Sequence, residues 1–298
     1  MDADIDYQPA ARSVQLSTPT GDGTMAFLDY GPPERTPDIV FVHANGFNAR
    51  SYRTILAPLA DRLRILTPDQ RGHGATRLPT DRPRTNWLDL RDDLLAFLAS
   101  QDLDRVVLAG HSMGGTASLL ASAEAPDRVR ALALFDPVIL PPVSERAPPD
   151  AGLVGNSPMV QGAMRRRREF PSKVAAVEAY RGRGAFRTWT EAMLRDYVEA
   201  GFRERGDGQV ELACAPEWEV SNYVNQRHDS WAAFAASKAP TRILRAEVES
   251  TGRLGDEIGQ LTASGRIRVD TVPGTTHFLP MERPDLVRET LIWAVSQG

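Results

Sequence analysis

The chain runs to 298 residues, 42% of them hydrophobic, enough to bury a large core in one or two domains. A formal net charge of −4 gives no basic footprint for nucleic acid, no run of about 18 apolar residues could cross a bilayer, and the acidic start Met1-Asp2-Ala3-Asp4-Ile5-Asp6 lacks the apolar centre of a signal peptide. The single cysteine, Cys214, cannot form an internal disulfide and suits a reducing compartment, and no cysteine or histidine cluster has metal-ligand spacing, so a cytoplasmic protein without a bound metal is expected.

Strand-like segments at 13–19 and 24–30 open the chain and could pair antiparallel. The run Asp38-Ile39-Val40-Phe41-Val42 reads as a buried strand, and the loop His43-Ala44-Asn45-Gly46-Phe47 leads into a helical stretch from about Ser51. Asn-Gly is a common hairpin turn, but the residues that follow do not alternate, which argues against a hairpin. A strand at 63–67 precedes Pro68-Asp69-Gln70-Arg71-Gly72-His73-Gly74, and a helix is expected at 87–99. Val106-Val107-Leu108-Ala109, then Gly110-His111-Ser112-Met113-Gly114, then the Ala/Leu-rich stretch 116–125 read as strand, turn and helix.

A strand over 129–135 ends at Asp136, and the alternation of strands and helices then stops as far as Pro240. This region opens with Pro141-Pro142 and Pro148-Pro149 and turns charged, aromatic and helix-like. Its run Arg165-Arg166-Arg167-Arg168-Glu169 would point all round a helix axis, so a solvated, salt-bridged helix is expected there rather than an anion site. The aromatics Phe170, Tyr180, Phe186, Trp189, Tyr197, Phe202 and Trp218 suit a small core of that region, and none is given a substrate role. Strands at 241–246 and 266–271 and a helix near 284–296 close the chain. The expected class is α/β, with a mostly parallel eight-stranded sheet and helices on both faces built by residues 1–137 and 240–298. Residues 138–239 would form a helical cap inserted after the sixth strand.

Ser112 is the candidate nucleophile. A turn that lifts a hydroxyl clear of a strand end strains its serine, and glycine two residues to either side removes collisions with the adjoining strand and helix. Chance alone would place such a pentapeptide in roughly one chain of this length in ten, so its partners matter. A serine alcohol needs a base to take its proton and a third group to orient that base. His277, in Gly274-Thr275-Thr276-His277-Phe278, stands on a loop after a strand and is the candidate base. The acid is expected on the loop after the strand 241–246, where Glu249 lies further past the strand end and is favoured; Glu247 and Asp136 remain in contention. For the oxyanion the expected donors are the amides of Met113 and Asn45, with Phe47 as a substitute.

Four markers in this order resemble the α/β-hydrolase superfamily, in its branch of capped serine esterases and lipases: His43 after its strand, Asp69-Gln70-Arg71-Gly72-His73-Gly74, Gly110-His111-Ser112-Met113-Gly114, and Gly274-Thr275-Thr276-His277-Phe278. The likeness spans nearly the whole chain. It departs at Ala44, where the family commonly has glycine, and at Glu249, where aspartate is commoner. The resemblance implies structural roles for His43 and His73, and serine at the elbow sets the chain apart from dehalogenases and epoxide hydrolases, which present aspartate there. His111 is expected to pack beside the elbow. The implied activity is hydrolysis of a small to medium, fairly apolar carboxylic ester, a small-molecule substrate, through an acyl-enzyme and with no cofactor. Amidase, thioesterase, carbon–carbon hydrolase and acyltransferase chemistry reuse the same triad, and a ligand-binding protein on this scaffold is the alternative of another class.

Overall fold

The computed structural model describes residues 6–82, 86–143, 157–255 and 258–297. The expectations for the acidic start at residues 1–5 and for Pro148-Pro149 lie outside the described residues. Eight strands form one sheet in the order β1-β2-β4-β3-β5-β6-β10-β11. They are β1 (Ala10–Leu16), β2 (Gly23–Tyr30), β3 (Ile39–Val42), β4 (Ile65–Pro68), β5 (Val106–His111), β6 (Val129–Phe135), β10 (Thr241–Ala246) and β11 (Ile267–Val272). β1 and β2 pair antiparallel, β2 meets β4 antiparallel, and the remaining neighbours are parallel. This is an α/β-hydrolase fold.

Strands β3, β4 and β5 are buried along their whole length, which explains their unbroken apolar sequences: helices cover both faces. Successive side chains serve opposite cores. Val40, Val42 and Leu108 face one layer with Leu94 and Phe97 of α2 (Leu88–Ser100) and Leu120 of α3 (Met113–Glu124). Ile39, Phe41 and Val107 face the other with Ile55 of α1 (Arg53–Leu56), Met281 of α10 (Leu279–Glu282) and Leu291 of α11 (Pro284–Val295). A short helix, α9 (Ile258–Thr262), precedes β11.

Between β6 and β10 the described chain forms α4 (Pro158–Met164), α5 (Lys173–Tyr180), α6 (Glu191–Gly201), α7 (Pro216–Val224) and α8 (Ser230–Ala236), with a small antiparallel sheet β7-β9-β8 built from β7 (Glu169–Phe170), β8 (Phe202–Glu204) and β9 (Val210–Leu212). Phe170, Val177, Leu194, Tyr197, Phe202 and Val210 make its own apolar cluster. α8 differs: Ala233 and Phe234 pack into the layer that contains α2 and α3. The arginine run is not helical. Arg165 caps α4 and 166–168 continue as irregular chain, with Arg168 paired to Glu217, Arg167 over the Phe170 ring at 4.5 Å, and Arg166 turned inward. The expected solvated helix is not what forms there: Arg166 is paired on the inner side with the buried carboxylate of Glu219.

All six parallel strands release their chain at one edge of the sheet, so the loops after β3, β4, β5, β6, β10 and β11 converge there.

Candidate active site

Ser112 joins β5 to α3 at φ 54° and ψ −120°, a backbone state that residues with a Cβ rarely adopt. Its N–H donates to the Phe135 carbonyl at 2.9 Å, so the strain is held by the neighbouring strand. A Cβ on Gly110 would lie 2.5 Å from the Gly114 carbonyl carbon, and one on Gly114 would lie 2.2 Å from the Val42 carbonyl oxygen. Both glycines are steric requirements of the turn.

Asp136, one residue past β6, is also strained, at φ 41°, and its side chain is wholly buried. Oδ1 accepts from the Ala246 amide at 2.9 Å and the Ser250 hydroxyl at 2.5 Å. Oδ2 accepts from the Thr251 amide at 3.1 Å and from His277 Nδ1 at 2.6 Å. Burial by itself pushes this carboxyl up; the hydrogen bond and charge of His277, with the Ser250 and Ala246 donors, outweigh it and hold Asp136 below the usual carboxylate range.

The carboxylate bonded to His277 is thus Asp136 and not Glu249, the acid favoured from the sequence. β6 pairs in parallel with β10, Phe135 opposite Leu244, so Asp136 emerges beside Ala246 and reaches across the end of β10 toward the loop after β11. Glu249 sits at φ 53° in the turn beyond β10 with its side chain exposed. That turn contributes donors, Ser250 and Thr251, in place of the carboxylate. Glu247 accepts from the Gly274 amide at 2.9 Å and so braces the loop that carries His277.

His277 is tied to the elbow through its backbone: its carbonyl accepts from His111 Nε2 at 2.7 Å, and His111 directly precedes Ser112. The Ala44 amide donates to the Tyr52 hydroxyl at 3.1 Å, and that hydroxyl donates to His111 Nδ1 at 2.8 Å. Both nitrogens of His111 are thus engaged as in a neutral ring. Full burial, with the His277 ring nearby, pulls its pKa from the ordinary 6.5 down to about 3. Tyr52 had no signal in the sequence beyond a place on a helical stretch.

His43 accepts from the Gln70 amide at 2.9 Å through Nε2, and burial lowers its pKa. His73 accepts from the Gly46 amide at 3.0 Å. Both therefore join the loop after β3 to the turn after β4. His228 stacks on Trp87 at 4.7 Å, and its Nε2 donates to the Val138 carbonyl at 3.2 Å.

Met113 is the first residue of α3, where an amide has no preceding turn to bond. In the loop after β3 the amides of Ala44, Gly46 and Phe47 are taken by Tyr52, His73 and the Ala44 carbonyl; that of Asn45 has no acceptor among the described residues. Phe47, half-buried, stacks with Phe278 at 6.3 Å and meets Trp189 at 5.5 Å and His111 at 5.8 Å. This aromatic group bridges the loops of Asn45 and His277. No group of three or more histidine, cysteine, aspartate or glutamate side chains among the described residues is arranged to hold a metal, and no described helix is long and apolar enough to cross a membrane.

The sequence profile of the Alpha/beta hydrolase family matches residues 39–290. A 2-(acetamidomethylene)succinate hydrolase of Mesorhizobium japonicum is 24% identical over 261 residues, 86% of this chain and 86% of that protein. Among solved structures, an E-2-(acetamidomethylene)succinate hydrolase superposes with a TM-score of 0.73 at 21% identity, covering 97% of this chain and 99% of the other. The thioesterase domain from the curacin biosynthetic pathway gives 0.75 at 14% identity, covering 95% and 99%.

Proposed function

Because the chain belongs to the alpha/beta hydrolase family, we propose that this hydrolase cleaves small to medium, fairly apolar carboxylic esters through an acyl-enzyme formed on Ser112. The observation that carries the reading is the 2.6 Å contact of His277 Nδ1 with buried Asp136, on an imidazole whose backbone is bonded to the residue next to Ser112. With Nδ1–H held by the carboxylate, Nε2 is the basic nitrogen, the tautomer a serine needs. Ser112 attacks the ester carbonyl as His277 takes its proton; Asp136 orients the ring and stabilises the imidazolium. The amides of Met113 and Asn45 receive the oxyanion, the alcohol leaves with the proton from His277, and water repeats the sequence on the acyl-enzyme. The segment over 158–224, with Phe47, Trp189 and Phe278 at its boundary with the core, acts as a cap that gives the site an apolar wall.

A fluorophosphonate probe is expected to label the wild type and not Ser112→Ala, and p-nitrophenyl acetate and butyrate are expected to turn over only with the wild type. A folded wild type that takes no label overturns the serine mechanism. The likeness to a 2-(acetamidomethylene)succinate hydrolase over most of both chains favours one second reading, action on an acetamido group, and that compound belongs in the same substrate panel. Faster turnover of it than of either ester would replace the ester assignment while leaving Ser112 in place.

A further inference from the structure

The side chain of Asn45 is spent entirely on the inserted segment. Its Nδ2 donates to the Glu219 carbonyl at 3.0 Å, and its Oδ1 accepts from Asn222 Nδ2 at 2.8 Å. Glu219 and Asn222 stand three residues apart on α7, hence on one face of that helix. Asn222 is fully buried, and its own carbonyl accepts from Trp87 Nε1 at 2.9 Å, which fastens it to the core.

The next residue is gripped as well. The Gly46 carbonyl accepts from the Tyr197 hydroxyl at 3.1 Å. Arg166 donates to that hydroxyl at 2.6 Å and to Glu219 Oε2 at 2.5 Å. Buried polar groups bonded at both ends fix geometry, because leaving either end unpaired is costly. The loop after β3 is tied to the turn after β4 by His43 and His73, so the Asn45 side chain is not used for that link.

We infer that Asn222, seconded by Glu219 and Arg166, is a positioning residue that sets the Asn45 peptide, so that the inserted segment aligns one half of the oxyanion hole. The inference rests on the reading that Asn45 N–H receives the oxyanion. A donor displaced by a fraction of an ångström matters most where charge develops, so loss of the clamp lowers kcat and leaves KM nearly alone.

The test uses the full chain with Asn222→Ala, Asn45→Ala and the double variant, assayed on p-nitrophenyl butyrate. Each single change is expected to lower kcat about 10- to 100-fold with KM within about twofold, and the double variant to be no worse than the more impaired single one, since both cut the same contact. The affinity of phenylboronic acid, whose tetrahedral adduct places an oxygen at the oxyanion position, should fall by a similar factor; a purely structural role would lower stability without moving it. If Asn222→Ala does not fold, the near-isosteric Asn222→Asp, which presents oxygen to Asn45 Oδ1, serves instead and is expected to show the same loss. Unchanged kcat in a folded variant, or losses that multiply in the double variant, overturn the clamp. A wild type that takes no fluorophosphonate label overturns the serine mechanism, and the clamp with it.

Discussion

The two halves of the site are built by different means. The carboxylate half is made by the sheet edge: Asp136 directly follows β6, its donors come from the end of β10 and the turn after it, and its histidine from the loop after β11. The oxyanion half starts on the sheet edge too, but its loop is closed from outside, by Glu219, Asn222 and Tyr197 of the inserted segment. Strand order therefore brings Asp136 and His277 together. The position of the Asn45 loop depends on how a separate layer docks, which leaves it open to adjustment by changes in that layer.

The sharpest break of the comparison is at the carboxylate. Asp136→Asn is expected to lower kcat about 10,000-fold, by presenting an amide that no longer fixes the tautomer or stabilises the imidazolium, whereas Glu249→Gln, on an exposed turn, should stay within about twofold of wild type. Steady-state kinetics on one ester decide it, and a large loss in Glu249→Gln would restore the glutamate.

At the oxyanion half the corresponding change is Gly46→Ala. Gly46 has φ 73°, and a Cβ there would lie 2.7 Å from Glu219 Oε1 and 2.9 Å from its Cδ. The methyl group must displace the Glu219 carboxylate from its pairing with Arg166 and occupy a left-handed backbone angle, so a loss of about 2 kcal/mol in stability is expected beside a fall in kcat. Urea unfolding and kinetics on the same preparation check both, and a neutral result would mean that the contact between the loop and α7 yields easily.

The last effect is one of pH and belongs to the link between the halves. Folded His111 resists protonation down to about 3, while the unfolded chain takes that proton at the ordinary 6.5, so its contribution to stability is complete above 6.5 and declines as pH falls toward 3. Asp136 acts in the same direction lower down: its carboxyl is depressed in the fold, so its stabilisation is present above the ordinary carboxylate value and lost as pH falls through the folded one. The unfolding free energy is expected to drop by as much as ~1 kcal/mol per pH unit below 6.5, and His111→Gln to flatten the slope between 6.5 and 4. Equal slopes in both proteins would show that His111 is not what ties acid sensitivity to the fold.

Much of this was readable along the chain because it follows from short-range physics. The apolar run at 38–42 read as a buried strand, as β3 is, and β6 and β10 matched their expected bounds of 129–135 and 241–246. Glycines on either side of Ser112 announced a turn that only small residues can flank. The arginine run misled because periodicity says where side chains of a helix would point, and says nothing of a buried carboxylate elsewhere that draws one of them in.

What the sequence by itself determined is the elbow, the loop histidine and the alternation that makes a parallel sheet, since each depends on residues a few positions apart. Which carboxylate meets His277, and which layer holds Asn45, was decided by the tertiary structure. Asp136 and His277 are 141 positions apart, and Asn45 and Asn222 are 177 apart. Such contacts are set by strand order and by helix docking, and neither leaves a trace in the local spacing of residues.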